Sequence, residues 1–279
     1  MKEMLINING DFTKGELSVL DHGLLYGYGL FETMRAYEGK VFSASRHLDR
    51  LYASAAKIGM VLPWTQDELL LELKRSVAKI SAPNLYIRLT LSKGTDVDGP
   101  LSPSFIIFVR PYEPMPPSCY QRGWSLATVT ARKNSTSLLS RLKSLNYLEN
   151  LIALQEAKLN LADEGLFLNE LGYVAEGTRS NIFLVAQDRL ITPSVETGIL
   201  NGITRQIVLE TATANGLCCE ECFITQDMLA SSDEVFCTNS LMEIMPVTRV
   251  DREIVGSGML GTITQKLMQK YTDLVSKTI

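Results

Sequence analysis

Hydrophobic positions change their period several times along the chain. Residues 4–8 (MLINI), 29–36 and 40–43 are short apolar runs that predict strands, the last two joined by a tight turn at Glu38-Gly39. From Ser43 the spacing becomes helical. Leu48, Leu51, Tyr52, Ala55 and Ile58 predict a helix over 44–58, ended by Gly59. A second helix fits 66–79, and strands fit 85–92 and 104–110. Between those strands runs KGTDVDGPLSP, a turn-rich loop of the kind a rigid scaffold uses to present function. In PYEPMPPS (111–118) four prolines predict a stiff, extended connection. The expected division is therefore 1–111, a linker at 112–120, and 121–279. In the second part strands are predicted at 124–131, 165–169, 181–186, 217–223 and 233–238, and helices at 145–161, 202–214 and 258–276. The last helix carries Leu260, Ile263, Leu267, Tyr271 and Leu274 on what is most simply a core face.

Composition narrows the class. A chain of 279 residues is comfortable for two cores. With 46% hydrophobic and 21% charged residues it has the make-up of an ordinary globular protein. A net charge of −4 without a basic stripe argues against nucleic acid as a partner. No apolar run approaches the ~18 residues of a membrane span, and MKEMLINING is too short and acidic for a signal peptide. Five clustered cysteines do not form a disulfide framework, so a reducing cytoplasm is expected. CCEEC (218–222) holds one C-x-x-C pair, but zinc would need two further ligands and the histidines are only His22 and His47. No metal is expected.

Candidate chemistry sits beside the strands. The chain has no G-x-S-x-G elbow, phosphate-loop signature or G-x-G-x-x-G fingerprint. In RLKSLNYLENLI (141–152), Lys143 lies between apolar residues just before a helix. Such surroundings disfavour the ammonium and suit a Schiff-base lysine, although a snorkelling helix-start lysine reads the same way. Tyr147, four residues on, shares its face if the helix has begun. Glu176, between two apparent strands, could pair with a cofactor pyridine nitrogen or be a turn residue before Gly177. Asn201-Gly202 precedes a helix whose first turn is Ile203, Thr204 and Arg205, either an ordinary cap or a phosphate site. Thr238, Asn239 and Ser240 end a strand and offer phosphate or carboxylate donors, or a plain turn.

Taken in order, HLDRL (47–51), LKSLNYL (142–148), EGTRSNIF (176–183), TGILNGITR (197–205) and TNSLMEIMPV (238–247) resemble the class IV aminotransferases, fold type IV enzymes that use pyridoxal 5'-phosphate. The resemblance covers about residues 4–250. It implies an α+β fold, with a smaller N-terminal α/β sandwich domain and a larger C-terminal pseudo-barrel α/β domain. It implies a homodimer, with loop 93–103 near the partner's active site. By this resemblance Lys143 forms the Schiff base with the cofactor, and Glu176 pairs with the pyridine nitrogen. Arg50 binds phosphate, Ile203 and Thr204 form the phosphate cup, and Ser240 adds a contact. Leu200 packs under the ring, and Tyr147 lies near the cofactor 3′-oxygen. The implied reaction passes an amino group between an amino acid and a 2-keto acid by ping-pong chemistry. A lyase of the family would use the same lysine to expel pyruvate.

Substrate choice turns on the α-carboxylate. In LYIRLTL, alternation puts Tyr86 and Arg88 on one face. A buried arginine head there would need an anion, whereas an edge-strand arginine would face water. By resemblance this face looks into the pocket on the 3′-oxygen side, which D-amino acid transaminases use for the α-carboxylate. Branched-chain enzymes use the phosphate side, with a Gly-Thr-Ala turn where this chain has Asn239-Ser240-Leu241. The usual D-enzyme loop, with an arginine and a histidine, is absent; here it reads SKGTDVDG, with Lys93 nearest. Tyr26, Tyr28 and Phe31 line the pocket by resemblance or the core by default. Glu113 stands at the pocket mouth or is a solvated linker residue. The expected activity is transamination of D-amino acids, ahead of 4-amino-4-deoxychorismate lyase and branched-chain L-amino acid aminotransferase.

Overall fold

The computed structural model describes residues 4–13, 15–97 and 102–278. Residues 98–101 of the 93–103 loop lie outside them. The chain divides into two compact units. The first runs to Pro114 and includes 142–146; the second holds Met115–Arg141 and Tyr147–Lys277.

The first unit is an antiparallel sheet covered on one face by helices. Its strands are β1 (Leu5–Ile8), β2 (Asp11–Phe12), β3 (Gly29–Tyr37), β4 (Lys40–Val41), β5 (Asn84–Ser92) and β6 (Ser104–Pro111), in the order β2-β1-β6-β5-β3-β4. Its helices are α1 (His22–Tyr26), α2 (Ala44–Lys57) and α3 (Gln66–Val77). The α3 helix starts at a reciprocal cap in which Thr65 and Glu68 satisfy each other's backbone N–H, and Lys74 and Arg75 oppose the dipole at its end. Leu48, Leu51 and Ala55 of α2 and Leu69 and Leu73 of α3 meet Leu30 and Met34 of β3 and Ile87 and Leu89 of β5 in one core. β5 is paired on both sides, and its residues alternate between buried and half-buried as far as Leu91. A one-residue slip would drive Arg88 into that core, so its register is firmly set.

The second unit contains α4 (Pro117–Arg122), β7 (Trp124–Lys133), α5 (Leu148–Leu159), β8 (Glu164–Asn169), β9 (Val174–Gly177), β10 (Asn181–Ala186), β11 (Arg189–Pro193), α6 (Ile203–Ala214), β12 (Cys218–Cys222), α7 (Gln226–Ala230), β13 (Glu234–Asn239), β14 (Glu243–Val250), β15 (Glu253–Ile254) and α8 (Thr262–Thr278). Its sheet has the order β12-β11-β10-β13-β14-β7-β8-β9, with β15 on β14. The end strand β9 packs back onto β10 and β11, so the sheet curls towards closure. The α5 helix covers β7 and β8, and α6 covers β12 and β13. This is the α+β architecture with a pseudo-barrel that the resemblance implied.

Several local expectations change. The proline-rich stretch is not extended throughout: Pro117 opens α4 as its first residue, where a missing N–H costs nothing. The helix expected over 145–161 begins only at Leu148, with Tyr147 as its cap, so Lys143 and Tyr147 are not on a common helical face. The last helix starts at Thr262 rather than 258. Glu176 is not in a turn but inside β9.

Candidate active site

In the first unit the chemistry gathers around Phe31. Residues 142–146 lie against β3: Phe31 N–H donates to Lys143 O at 2.8 Å, and Leu145 N–H donates to Gly29 O at 3.0 Å. Gly29 allows this approach, because a Cβ there would stand 2.5 Å from Leu145 Cδ1. The Phe31 ring is only 3% exposed. It carries two cations, with Lys143 Nζ 4.5 Å and Arg88 Cζ 3.8 Å from its centroid. Arg88 Nε also donates to Thr90 Oγ1 at 3.3 Å. No carboxylate partner of Arg88 is present among the described residues, so its guanidinium is available to an anionic ligand.

On the helix-facing side of β3, Glu32 is buried between α2 side chains. Arg50 donates Nε to Glu32 Oε1 at 2.8 Å and Nη2 to Oε2 at 2.6 Å. His47 Nδ1 lies 2.7 Å from Oε2. Burial opposes ionisation of Glu32, but the Arg50 charge and the His47 hydrogen bond outweigh it and lower its pKa to about 2. Burial also lowers the His47 pKa, favouring the neutral ring, against the pull of Glu32.

The other expected substrate residues of this unit lie apart in environment. Tyr86 sits edge-on to Phe108, under the Arg110 guanidinium. Lys93 donates to Gly59 O at 3.0 Å and lies over Tyr28, whose hydroxyl donates to Ile58 O. Tyr26 is largely exposed on α1, its ring edge-on to His22. Glu113 is exposed at the end of the unit.

The second unit assembles a different set. Glu176 is buried in β9. Its Oε2 accepts the Leu200 N–H at 3.1 Å, and its Oε1 lies 3.8 Å from Lys133 Nζ. Tyr147 OH and Asn150 Nδ2 both donate to Thr178 O, at 3.0 and 2.6 Å. Asn181 Nδ2 donates to Leu200 O at 2.8 Å, fixing the stretch that leads into α6. That helix starts at Gly202, which offers no capping side chain, so the Ile203 and Thr204 end of the helix is not closed by the protein's own cap. A Cβ on Gly202 would collide with Asn181 Oδ1. Thr238, paired with Asn181 across β10 and β13, has a buried hydroxyl with no partner among the described residues, as does Ser180. Ser240 follows in the β13–β14 turn. There Asn239 Oδ1 accepts the N–H groups of both Leu241 and Met242 at 2.9 Å.

This donor set fits a flat, phosphorylated pyridine. An uncapped helix start and orphaned hydroxyls suit a phosphate, and a buried carboxylate suits a ring N–H. Sequence reading missed Lys133, Asn150 and Asn181, and of the Glu32–His47–Arg50 set it named only Arg50, as a phosphate residue, without the Glu32 carboxylate that it shares with His47. The spacing of His47 and Arg50, one helical turn apart, was a usable signal for the last. Lys133 gave none, since Glu176 lies far along the chain on another strand.

Comparison with known proteins agrees. Residues 29–250 match the family model for amino-transferase class IV, so the chain belongs to the class IV aminotransferases. It is 35% identical to the D-alanine aminotransferase of Bacillus licheniformis, over 90% of this chain and 89% of that one. It is 33% identical to the aminodeoxychorismate lyase of Bacillus subtilis, over 99% and 96%. Its fold matches the crystal structure of a T.th. branched-chain amino acid aminotransferase with pyridoxamine 5'-phosphate, with a TM-score of 0.92, 30% identity, and 99% and 95% of the two chains covered.

Proposed function

We propose that this protein is a pyridoxal 5'-phosphate-dependent aminotransferase that transfers the amino group of a D-amino acid to a 2-keto acid. The observation that carries this reading is the placement of Arg88 and Lys143 on one aromatic ring, Phe31. An α-carboxylate held by Arg88 would leave the α-carbon on the Lys143 side of that ring. The competing mode, with the carboxylate at the β13–β14 turn, is disfavoured because Asn239 already takes up two N–H groups there.

The central residues then each have a task. Lys143 Nζ takes the proton from the substrate Cα and returns one during amino transfer. Arg88 clamps the α-carboxylate. Glu176 accepts the pyridine N–H. Ile203 and Thr204, with the Ser240 turn, would hold phosphate and Leu200 would back the ring, while Arg50, a phosphate residue by resemblance, has its guanidinium tied to Glu32. By resemblance Tyr147 would serve the cofactor 3′-oxygen; Tyr26, Tyr86, Lys93 and Glu113 sit in separate environments and carry no assigned role here. When bound, the cofactor supplies the electron sink for the charge left on Cα.

The test is the half-reaction without acceptor, using D-alanine, D-glutamate, L-leucine and L-glutamate separately. Conversion of the near-visible band by the D-amino acids is expected. Conversion by L-leucine alone would assign the branched-chain activity. Silence with all four, together with pyruvate release from aminodeoxychorismate, would assign the lyase. Arg88→Leu is expected to cut kcat/KM for D-amino acids by about 100-fold, mostly through KM, because a clamp acts in ground and transition states alike. Unchanged kinetics would remove Arg88 from the site.

We further propose a homodimer. Leu148, Leu151 and Ile152, three exposed apolar residues on one face of α5, suit contact with a second copy. Sedimentation should give twice the chain mass, and Leu151→Glu with Ile152→Glu should give the monomer. The five free cysteines suit a reducing compartment, the cytoplasm.

A further inference from the structure

Lys133 is buried, at 6% exposure, in a setting where an ammonium needs a reason to be. It ends β7 and reaches into a small polar network. Its Nζ donates to Asn150 Oδ1 at 3.3 Å and lies 3.6 Å from Glu149 Oε2 and 3.8 Å from Glu176 Oε1. Its remaining side covers the face of Phe167, 4.4 Å from the ring centroid. Asn150 is itself tied to Thr178 O, the carbonyl that Tyr147 also engages. One network therefore joins the first turn of α5, the end of β7 and strand β9.

The consequence for Glu176 is geometric. Lys133 stands at Oε1, and the Leu200 N–H holds Oε2. Both oxygens have a fixed neighbour, which restrains rotation of the carboxylate. A cation at this distance also favours the ionised form in a buried site. Glu149, half-exposed on the far side of Lys133, completes an alternating row of charges: Glu149, Lys133, Glu176.

We infer that Lys133 is a positioning residue that holds the Glu176 carboxylate ionised and oriented for the pyridine nitrogen of the cofactor. This rests on the reading of Glu176 given above. Lys133 acts through Glu176 and exchanges no proton with the substrate.

The experiment titrates apoenzyme with pyridoxal phosphate and with its carbocyclic analogue, which has CH in place of the ring nitrogen. Wild type should prefer the natural cofactor, and Glu176→Gln should erase that preference. Lys133→Met should weaken pyridoxal phosphate by about tenfold, as loss of one partner of a buried charge pair does, yet leave the analogue within about twofold. Lys133→Arg should restore most of the difference. Should Lys133→Met not fold, Lys133→Gln, which keeps a donor for Asn150, carries the same expectation. Equal weakening of both ligands would make Lys133 merely structural and overturn the inference, as would no weakening of either. If wild type shows no preference, or Glu176→Gln leaves the preference intact, the reading of Glu176 itself falls and the inference falls with it.

Discussion

Alanine at Lys143 is expected to lower turnover by about 10³-fold or more, since one group both accepts and returns the proton at Cα. The loss should not reflect misfolding. The lysine side chain is half-buried, and the contact that anchors the segment, Phe31 N–H to Lys143 O, is made by the backbone. The near-visible band of the holoenzyme should shift to that of free cofactor. Borohydride reduction followed by peptide mass mapping should find the modification on Lys143 in wild type and nowhere in the variant. A small primary amine added to Lys143→Ala should recover part of the rate. Full turnover without Lys143 would reject the mechanism at its centre.

Glu32→Ala should be among the most destabilising substitutions in the first unit. It strands the Arg50 guanidinium, 14% exposed, and a buried histidine without their shared acceptor. Breaking a buried ion pair from one side costs about 3–5 kcal/mol, readable in urea unfolding. The same cluster sets an acid limit. The Glu32 carboxyl lies at about 2 in the folded protein against an ordinary value of 4.5. A lowered folded pKa means that the unfolded chain binds more protons in between. The stabilisation is complete above pH 4.5, drains as the pH falls towards 2, and amounts to about 3 kcal/mol in all. His47, lowered from 6.5, drains in the same direction, beginning nearer neutrality. Glu32→Ala should therefore flatten the stability profile between pH 4.5 and 2; an unchanged slope would place the acid sensitivity elsewhere.

Much of the architecture could be read from periodicity because burial enforces it. The Leu85–Ile87–Leu89 alternation and the Leu48–Leu51–Ala55 stripe each face a single core, so local pattern and tertiary position coincide. The hidden parts lacked such a pattern. β9 and β14 are buried along most of their length, which removes the two-residue period. The start of α5 was read three residues early, since apolar residues run through Leu142, Leu145 and Leu148 without a break. For the site, motifs pointed to Lys143, Glu176 and the α6 start. The Lys133–Glu176 contact was illegible, because it joins residues far apart in the chain, and of the Glu32–His47–Arg50 set only the His47–Arg50 spacing showed in the sequence, while the link to Glu32 is made on folding.

The path of the backbone at 142–146 bears on how this protein can be cut. Those five residues belong to the first unit, although the chain on either side belongs to the second. A fragment ending at Pro114 would keep Phe31, Arg88 and the whole sheet, yet lose the amine. The complementary fragment would carry Lys143 on a tether with no strand to dock against. Exchanging modules with a relative, or splitting the gene into a two-piece reporter, would therefore need three junctions rather than one. The short insert would have to travel with the fold to which it adds a backbone, not with its neighbours in sequence.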